Sequence, residues 1–139
     1  MKPVRVILAD NHQVMLQGLT ELLAPTCTIL ASVSDARSLV SAVEEAKPDV
    51  VVVDVSLPND IGQGVVRRLR GRYPDLKIIL VSVYDEDTIV EKAFSSGACA
   101  FVLKRSVASD LIPAIESALE NRRYLSPALT RDELRQTPC

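Results

Sequence analysis

Polar side chains stand at the carboxyl ends of four apolar segments of this sequence. Asp54 directly follows Val50–Val53, the most apolar stretch of the chain. The ends of three other predicted strands carry Asp10-Asn11, Ser82 and Lys104. In open parallel sheets the carboxyl ends of the strands form the edge where ligands bind and reactions occur. We therefore expect two carboxylates, a carboxamide, a hydroxyl and an amine, which together can bind cations and anions, to converge there.

Each of these residues alone also has an ordinary structural explanation. Asp54 could cap the following loop or helix, and Asp10-Asn11 could cap the next helix. Ser82 could be a turn hydroxyl, and Lys104 could simply be solvated. Their joint occurrence at successive strand ends favours a functional site.

Short apolar runs alternate with amphipathic segments, which predicts a sheet flanked by helices. The predicted strands are Val4–Ala9, Thr28–Val33, Val50–Val53, Ile78–Val83 and Ala100–Leu103. The predicted helices are Gln13–Leu23, Ala36–Ala46, Gly64–Arg72, Thr88–Ser96 and Asp110–Asn121, with Gly97 ending the fourth. Five β–α repeats imply an α/β fold with a five-stranded parallel sheet and helices on both faces. We expect the flavodoxin-like strand order 2-1-3-4-5, which makes the ends of the first and third strands neighbours.

The composition predicts one globular domain and argues against direct contact with nucleic acid or a membrane. The 139 residues are 47% hydrophobic, enough for one core, and the net charge of -2 does not suggest direct binding of nucleic acid or an anionic membrane. No apolar run approaches the roughly 20 residues that span a bilayer, and the N-terminal stretch is too short for a signal peptide. We therefore expect a cytoplasmic protein with no membrane partner. A single histidine excludes a multi-histidine metal site.

Four motifs, in order along the chain, resemble the receiver domain of two-component response regulators. They are ILADN (Ile7–Asn11), VVVDVSLPNDIG (Val51–Gly62), ILVSVYDED (Ile79–Asp87) and SSGACAFVLK (Ser95–Lys104). The resemblance extends from Val4 to about Asn121. It implies a receiver domain over residues 1–121 and a linker or C-terminal tail over residues 122–139, with the output domain absent from this chain.

The resemblance implies that a sensor histidine kinase transfers a phosphoryl group to Asp54. In receivers Mg²⁺ is held by the acidic pair on the first strand, the phosphoacceptor and the backbone carbonyl two residues later. Here these positions are Asp10, Asn11, Asp54 and Ser56. Two carboxylates about 5 Å apart repel by roughly 3 kcal/mol at an effective dielectric constant near 20, a repulsion that a hard divalent cation offsets.

The resemblance also implies residues that respond to the phosphoryl group. Lys104 would pair with its oxygens, and Ser82 would donate a hydrogen bond to it. Phe101 stands where receivers carry the aromatic residue that changes rotamer. Ser56 and Tyr84 stand where receivers tune dephosphorylation: Ser56 is too small to exclude water, whereas the ring of Tyr84 could cover its path.

The implied function is a signalling switch and not an enzyme. Phosphorylation would change the surface formed by the fourth and fifth strands and the fourth helix, and so control an output domain of a transcriptional kind. The Lys104-Arg105 dipeptide in place of Lys-Pro, with NRRYLSP after the last helix, resembles regulators that carry LuxR-type helix-turn-helix output domains. By that resemblance DNA would be contacted only through the output domain, and the chain could form a homodimer.

Asn11 departs from the receiver pattern, in which this position is usually acidic. The missing charge leaves open a pseudo-receiver that binds partners without phosphorylation. A haloacid-dehalogenase-like phosphatase would need an acid at position 56, where Ser56 stands. A dinucleotide-binding module would need G-x-G-x-x-G after the first strand. We assign His12 to the start of the first helix and give it no role as a phosphodonor.

Overall fold

The computed structural model describes residues 3–58 and 64–129, which form a parallel sheet covered by helices on both faces. The strands are β1 (Val4–Ala9), β2 (Cys27–Val33), β3 (Val50–Asp54), β4 (Lys77–Ser82), β5 (Ala100–Leu103) and β6 (Tyr124–Leu125). The helices are α1 (Gln13–Leu23), α2 (Ala36–Ala46), α3 (Gly64–Arg72), α4 (Asp87–Ser96) and α5 (Val107–Leu119). The sheet order is β2-β1-β3-β4-β5-β6, so the predicted order of the first five strands is confirmed.

The predicted number of strands was wrong, because β6 adds a sixth. It pairs in parallel with Ala100 and Phe101 of β5. The next residue, Ser126, is buried and continues the contact: its N–H donates to the Phe101 carbonyl at 3.1 Å, and its Oγ accepts from the Leu103 N–H at 3.0 Å. Two residues are too few for an alternating pattern, so periodicity could not reveal this strand.

The sixth strand lies in the segment predicted as a linker or tail. The chain from Tyr124 to Leu129 returns to the sheet and ends in a short 3₁₀ turn over Pro127–Leu129. The remainder of that predicted tail, residues 130–139, lies outside the described residues, and the division at residue 121 stays a prediction.

The core consists of two layers separated by the sheet. On one face α2, α3 and α4 pack against inward residues of the strands, including Ile7, Val51 and Leu80. On the other face α1 and α5 pack against Leu8 and Val52. Successive residues of a strand point to opposite faces, so the apolar runs of β1, β3 and β4 fill both layers. The four consecutive valines before Asp54 are buried for this reason.

The ends of the helices largely agree with the predicted ones. Gly97 is the C-cap of α4 with φ of 117°, as expected for a glycine at that position. The fifth helix begins at Val107, three residues before the predicted start, because a 3₁₀ turn over Lys104–Ser106 leads directly into it. None of the described helices is long and apolar enough to cross a membrane.

Candidate functional site

Three of the predicted strand-end side chains meet at the carboxyl edge of the sheet. The ammonium nitrogen Nζ of Lys104 lies 2.9 Å from Oδ2 of Asp10 and 3.2 Å from Oδ2 of Asp54. Asp10 is 0% exposed and Asp54 is 2% exposed. The arrangement follows from the sheet order, because β1 and β3 are neighbours and the ends of both strands lie within reach of the long side chain that follows β5.

The Lys104 ammonium group compensates the charges of both buried carboxylates. Within the part of the chain that the structure describes, the Oδ2 atoms of Asp10 and Asp54 are buried and accept no hydrogen bond, so they depend on this ion pair. Two carboxylates against one ammonium leave the edge with net negative charge. Such a site attracts cations.

The turn after β3 holds the other oxygen of Asp54. The backbone N–H of Ser56 donates to Oδ1 of Asp54 at 3.1 Å, and the N–H of Leu57 donates to the Asp54 carbonyl at 3.1 Å. Ser56 is therefore the first polar residue beside the carboxylate, and it is exposed. Positions 59–62 of the third-strand motif lie outside the described residues.

The structure does not place the Ser82 hydroxyl on Asp54. Ser82 is buried at the end of β4, and its Oγ accepts from the Tyr84 N–H at 2.8 Å and donates to the Tyr84 carbonyl at 3.0 Å. Tyr84 is exposed. Phe101 is fully buried in the middle of β5. The predicted roles of these three residues stay predictions.

His12 belongs to the site, which the sequence interpretation missed. It is the N-cap residue of α1, as predicted, but its side chain makes no capping hydrogen bond. Instead the ring atom Nδ1 lies 2.9 Å from Oδ1 of Asp10 and 4.0 Å from Oδ2 of Asp54. The backbone N–H of His12 also donates to Oδ1 of Asp10, at 2.9 Å. The preceding residue, Asn11, is exposed.

A signal for His12 was present in the spacing. The backbone at His12 is extended, with φ of -102° and ψ of 109°, so the chain has not yet turned into the helix. In extended backbone, residues two apart point to the same side. Asp10 and His12 have this spacing, and the hydrogen bond between Nδ1 of His12 and Oδ1 of Asp10 agrees with it.

The donor set fits the divalent cation that the resemblance implies. Ligating atoms of Asp10, His12 and Asp54 all lie within 4.8 Å of one another. The buried carboxylate oxygens of Asp10 and Asp54 are suitable ligands for a hard cation such as Mg²⁺. The carboxamide of Asn11 and the backbone carbonyl of Ser56 are the further oxygens that would complete the set.

Comparisons with known proteins agree with this geometry. The family model of the response regulator receiver domain matches residues 6–116. The chain is 29% identical to the transcriptional regulatory protein DegU of Brevibacillus brevis over 96% of its length, and 32% identical to the DNA-binding transcriptional activator DevR/DosR of Mycobacterium tuberculosis over 88%. A solved two-component response regulator of the LuxR family from Aurantimonas sp. SI85-9A1 is 30% identical and superimposes with a TM-score of 0.86.

The extent of these matches defines what they say about the chain. The match with the Aurantimonas structure covers 92% of this chain and 93% of that one. The chain spans only 57% of the length of DegU and 57% of DevR/DosR, so the comparison concerns their receiver portion and not the whole regulators. The receiver-domain model matches most of this chain, and Asp10, Asp54 and Lys104 meet at the strand ends. The chain therefore belongs to the response regulator receiver domain family.

Proposed function

We propose that this chain is a phosphorylation-activated switch of a two-component system, and that Asp54 accepts a phosphoryl group from a sensor histidine kinase. The observation that carries the proposal is the pairing of buried Asp54 and Asp10 with the same Lys104 ammonium group. A carboxylate buried beside a like charge and held by a single cation is the arrangement that a transferred phosphoryl group requires, because its dianion can then take over the pairing with Lys104.

The transfer requires a bond to form between an oxygen of Asp54 and phosphorus while the bond from phosphorus to the kinase histidine nitrogen breaks. The Ser56 N–H holds Oδ1 of Asp54 and so orients the carboxylate. Lys104 pairs with the phosphoryl oxygens as they approach, a charge-assisted contact. Asp10, Asn11, Asp54 and Ser56 would hold Mg²⁺, which supplies the positive charge that lowers the repulsion between the carboxylates and the incoming phosphoryl group.

We further propose that the response spreads through the fourth and fifth strands. The Ser82 hydroxyl would leave the Tyr84 backbone and donate to the phosphoryl group, and Phe101 would repack behind it. The resulting change in the surface of β4, β5 and α4 would control an output domain. By analogy with DevR/DosR, described as a DNA-binding transcriptional activator, that output would act on DNA. The switch would work in the cytoplasm, and phosphorylation could favour a homodimer.

Nothing in the comparisons supports the alternative of a pseudo-receiver. That alternative rested on the uncharged Asn11. Asn11 is exposed and does not take part in the ion pairs that Lys104 forms with Asp10 and Asp54. Asp54 and Lys104 are both present and in contact, as phosphoryl chemistry requires. The phosphatase alternative still lacks an acid two residues after Asp54, because that position is Ser56.

Incubation with acetyl phosphate and Mg²⁺, read by intact mass, tests the proposal. Wild-type protein should gain one phosphoryl group, and Asp54→Asn should gain none while keeping its fold by circular dichroism. Asp49→Asn is the matched control, because Asp49 is an exposed carboxylate at the other end of β3 whose Oδ2 accepts from the Arg5 N–H. Labelling of Asp54→Asn at the wild-type level would refute the assignment, and continuous turnover of phosphate monoesters would indicate an enzyme.

A further inference from the structure

The position of His12 indicates more than a helix start. Its Nδ1 lies against Oδ1 of Asp10 at 2.9 Å and near Oδ2 of Asp54 at 4.0 Å, while its ring stays 63% exposed. Nδ1 also lies 3.5 Å from Nζ of Lys104. The imidazole therefore borders the pair of carboxylates on the solvent side and forms a hydrogen bond with Asp10.

The separations suit a shared ion. Two ligands of one divalent ion, each about 2.1 Å from it, lie no more than about 4.2 Å apart. Nδ1 lies 4.0 Å from Oδ2 of Asp54, and it is hydrogen-bonded to Oδ1 of Asp10 at 2.9 Å, a contact that a bound ion would replace. The buried Oδ2 atoms of Asp10 and Asp54 already face a positive charge, because the Lys104 ammonium nitrogen lies 2.9 Å and 3.2 Å from them, and this is the second sign that the cluster favours a cation.

We propose that Nδ1 of His12 is a direct ligand of the divalent ion and that it gives the site a preference for first-row transition ions over Mg²⁺. The inference rests on the proposed function and adds the metal class to it. Mg²⁺ favours an all-oxygen shell, whereas imidazole nitrogen is a good ligand for transition ions, whose affinities for nitrogen donors rise along the series from Mn²⁺. With Asn11 in place of an acid, the site has one charge fewer for Mg²⁺ and one nitrogen more for its competitors.

The other groups at the site do not produce this preference. Lys104 repels every divalent ion equally, because it acts through charge alone. Carboxylate, carboxamide and backbone carbonyl oxygens serve Mg²⁺ and Mn²⁺ alike. Among the ligands named here the imidazole nitrogen is the one whose donor type favours Mn²⁺, so the preference for Mn²⁺ over Mg²⁺ should decrease when the imidazole is removed.

Metal binding by the whole chain provides the test, because it does not depend on phosphorylation. Calorimetry should give tighter binding of Mn²⁺ than of Mg²⁺. His12→Ala should weaken Mn²⁺ binding by about tenfold or more and change Mg²⁺ binding by less than about twofold. Val14→Ala, a change of an exposed residue on the same helix, is the control that should alter neither affinity. Mn²⁺ is the better probe than Zn²⁺ because it is less attracted to the free thiol of Cys27.

Spin-echo spectroscopy of bound Mn²⁺ gives a second readout. His12 is the single histidine of the chain, so imidazole nitrogen coupling to Mn²⁺ can come from it alone. Coupling in the wild type that is lost in His12→Ala supports the inference. If His12→Ala weakens the binding of Mn²⁺ and Mg²⁺ equally, or if Mn²⁺ bound to the wild type shows no nitrogen coupling, the inference about His12 is wrong, while phosphorylation of Asp54 with Mg²⁺ can still occur. If neither ion binds, both this inference and the metal site of the proposed function are wrong.

Discussion

The Ser82 hydroxyl is bound on both sides by the backbone of Tyr84, accepting from its N–H at 2.8 Å and donating to its carbonyl at 3.0 Å. In the proposed switch this hydroxyl donates to a phosphoryl group on Asp54, so it has to give up its donation to the Tyr84 carbonyl. We expect the side chain to rotate as it does so and to release the Tyr84 N–H as well, which frees the loop after β4. This gives the switch a local reporter, the Tyr84 amide.

We predict that hydrogen exchange at the Tyr84 amide reports phosphorylation. Loss of one hydrogen bond, worth about 1 kcal/mol, should speed exchange about fivefold when the protein is phosphorylated. In Ser82→Ala exchange should be fast already, and phosphorylation should not speed it further. Ser96→Ala is the control, since the buried Ser96 hydroxyl donates to the Lys92 carbonyl on α4 and not to this loop. An amide exchange rate that phosphorylation leaves unchanged in the wild type would contradict this coupling.

The uncharged residue at position 11 should limit the affinity for Mg²⁺. Replacing Asn11 by Asp adds one negative charge next to Asp10 in the chain. The attraction between two opposite unit charges about 4 Å apart is about 1 to 4 kcal/mol, depending on the effective dielectric constant. We expect Asn11→Asp to tighten Mg²⁺ binding by about tenfold. Calorimetry is the appropriate measurement, because the chain has no tryptophan for quenching.

The matched control for that charge is Asn121→Asp. Asn121 is exposed, and its φ of 60° is tolerated by both asparagine and aspartate. It contacts Lys77, the first residue of β4, which lies at the opposite end of the sheet from the site. It should leave Mg²⁺ affinity unchanged. If Asn11→Asp and Asn121→Asp behave alike, residue 11 does not face the metal.

The exposed ring of Tyr84 should set the lifetime of the phosphorylated state. Water must approach phosphorus opposite the Asp54 oxygen. The resemblance to receivers implies that residue 84 lines this path, and Tyr84 is 46% exposed. We predict that Tyr84→Ala shortens the phosphoryl half-life several-fold, as expected when a barrier falls by about 1 kcal/mol. Tyr84→Phe keeps the ring and should keep the half-life. Decay of labelled protein at saturating Mg²⁺ measures both, and equal half-lives for Tyr84→Ala and wild type would exclude shielding.

The junction between α4 and β5 should be intolerant of a side chain at Gly97. Two guanidinium nitrogens of Arg70 donate to the Gly97 carbonyl at 3.0 Å and 2.9 Å, and a Cβ on Gly97 would lie 2.7 Å and 2.8 Å from Arg70 Cγ and Cβ. With φ of 117° added to this contact, Gly97→Ala should lower the free energy of unfolding by about 1–3 kcal/mol.

Denaturant unfolding measures this loss, and Gly18→Ala is its control. Gly18 lies in α1, where a Cβ would meet nothing within 4 Å. That substitution should stabilise the protein by about 0.4–1 kcal/mol, because it restricts the unfolded chain and fits the helix. Equal stability of Gly97→Ala and the wild type would show that the Arg70 side chain moves aside without cost.

The pattern of apolar residues was sufficient to predict most of the fold. A run such as Val50–Val53, which is buried on both faces of the sheet, indicates a strand without reference to the segments around it. The first five strands and their order were therefore predicted correctly. The two-residue strand at Tyr124–Leu125 has no such pattern. It exists because β5 presents unpaired backbone groups beside it, which is a tertiary property.

The same distinction explains which part of the site could be predicted. Asp10, Asp54 and Lys104 converge because strand order alone brings their backbones together. The directions of the His12 ring and the Ser82 hydroxyl depend on local torsions and on hydrogen bonds to nearby groups. The prediction that His12 lies at the start of the first helix was correct for its backbone. It did not include the contact between the His12 side chain and Asp10.

The short sixth strand also determines how copies of this chain can meet. β5 would otherwise present a free row of N–H and carbonyl groups, which invites strand addition by another molecule. β6 pairs with its first half, and the Ser126 hydroxyl takes the N–H of Leu103 beyond it. At the opposite side β2 carries an irregularity in its pairing with β1, between Val6 and Ile7, of the kind that discourages edge-to-edge contact. Addition of a strand from another copy is thereby disfavoured at both edges of the described sheet, so any association between copies should depend on the specific side chains that meet and not on generic backbone pairing.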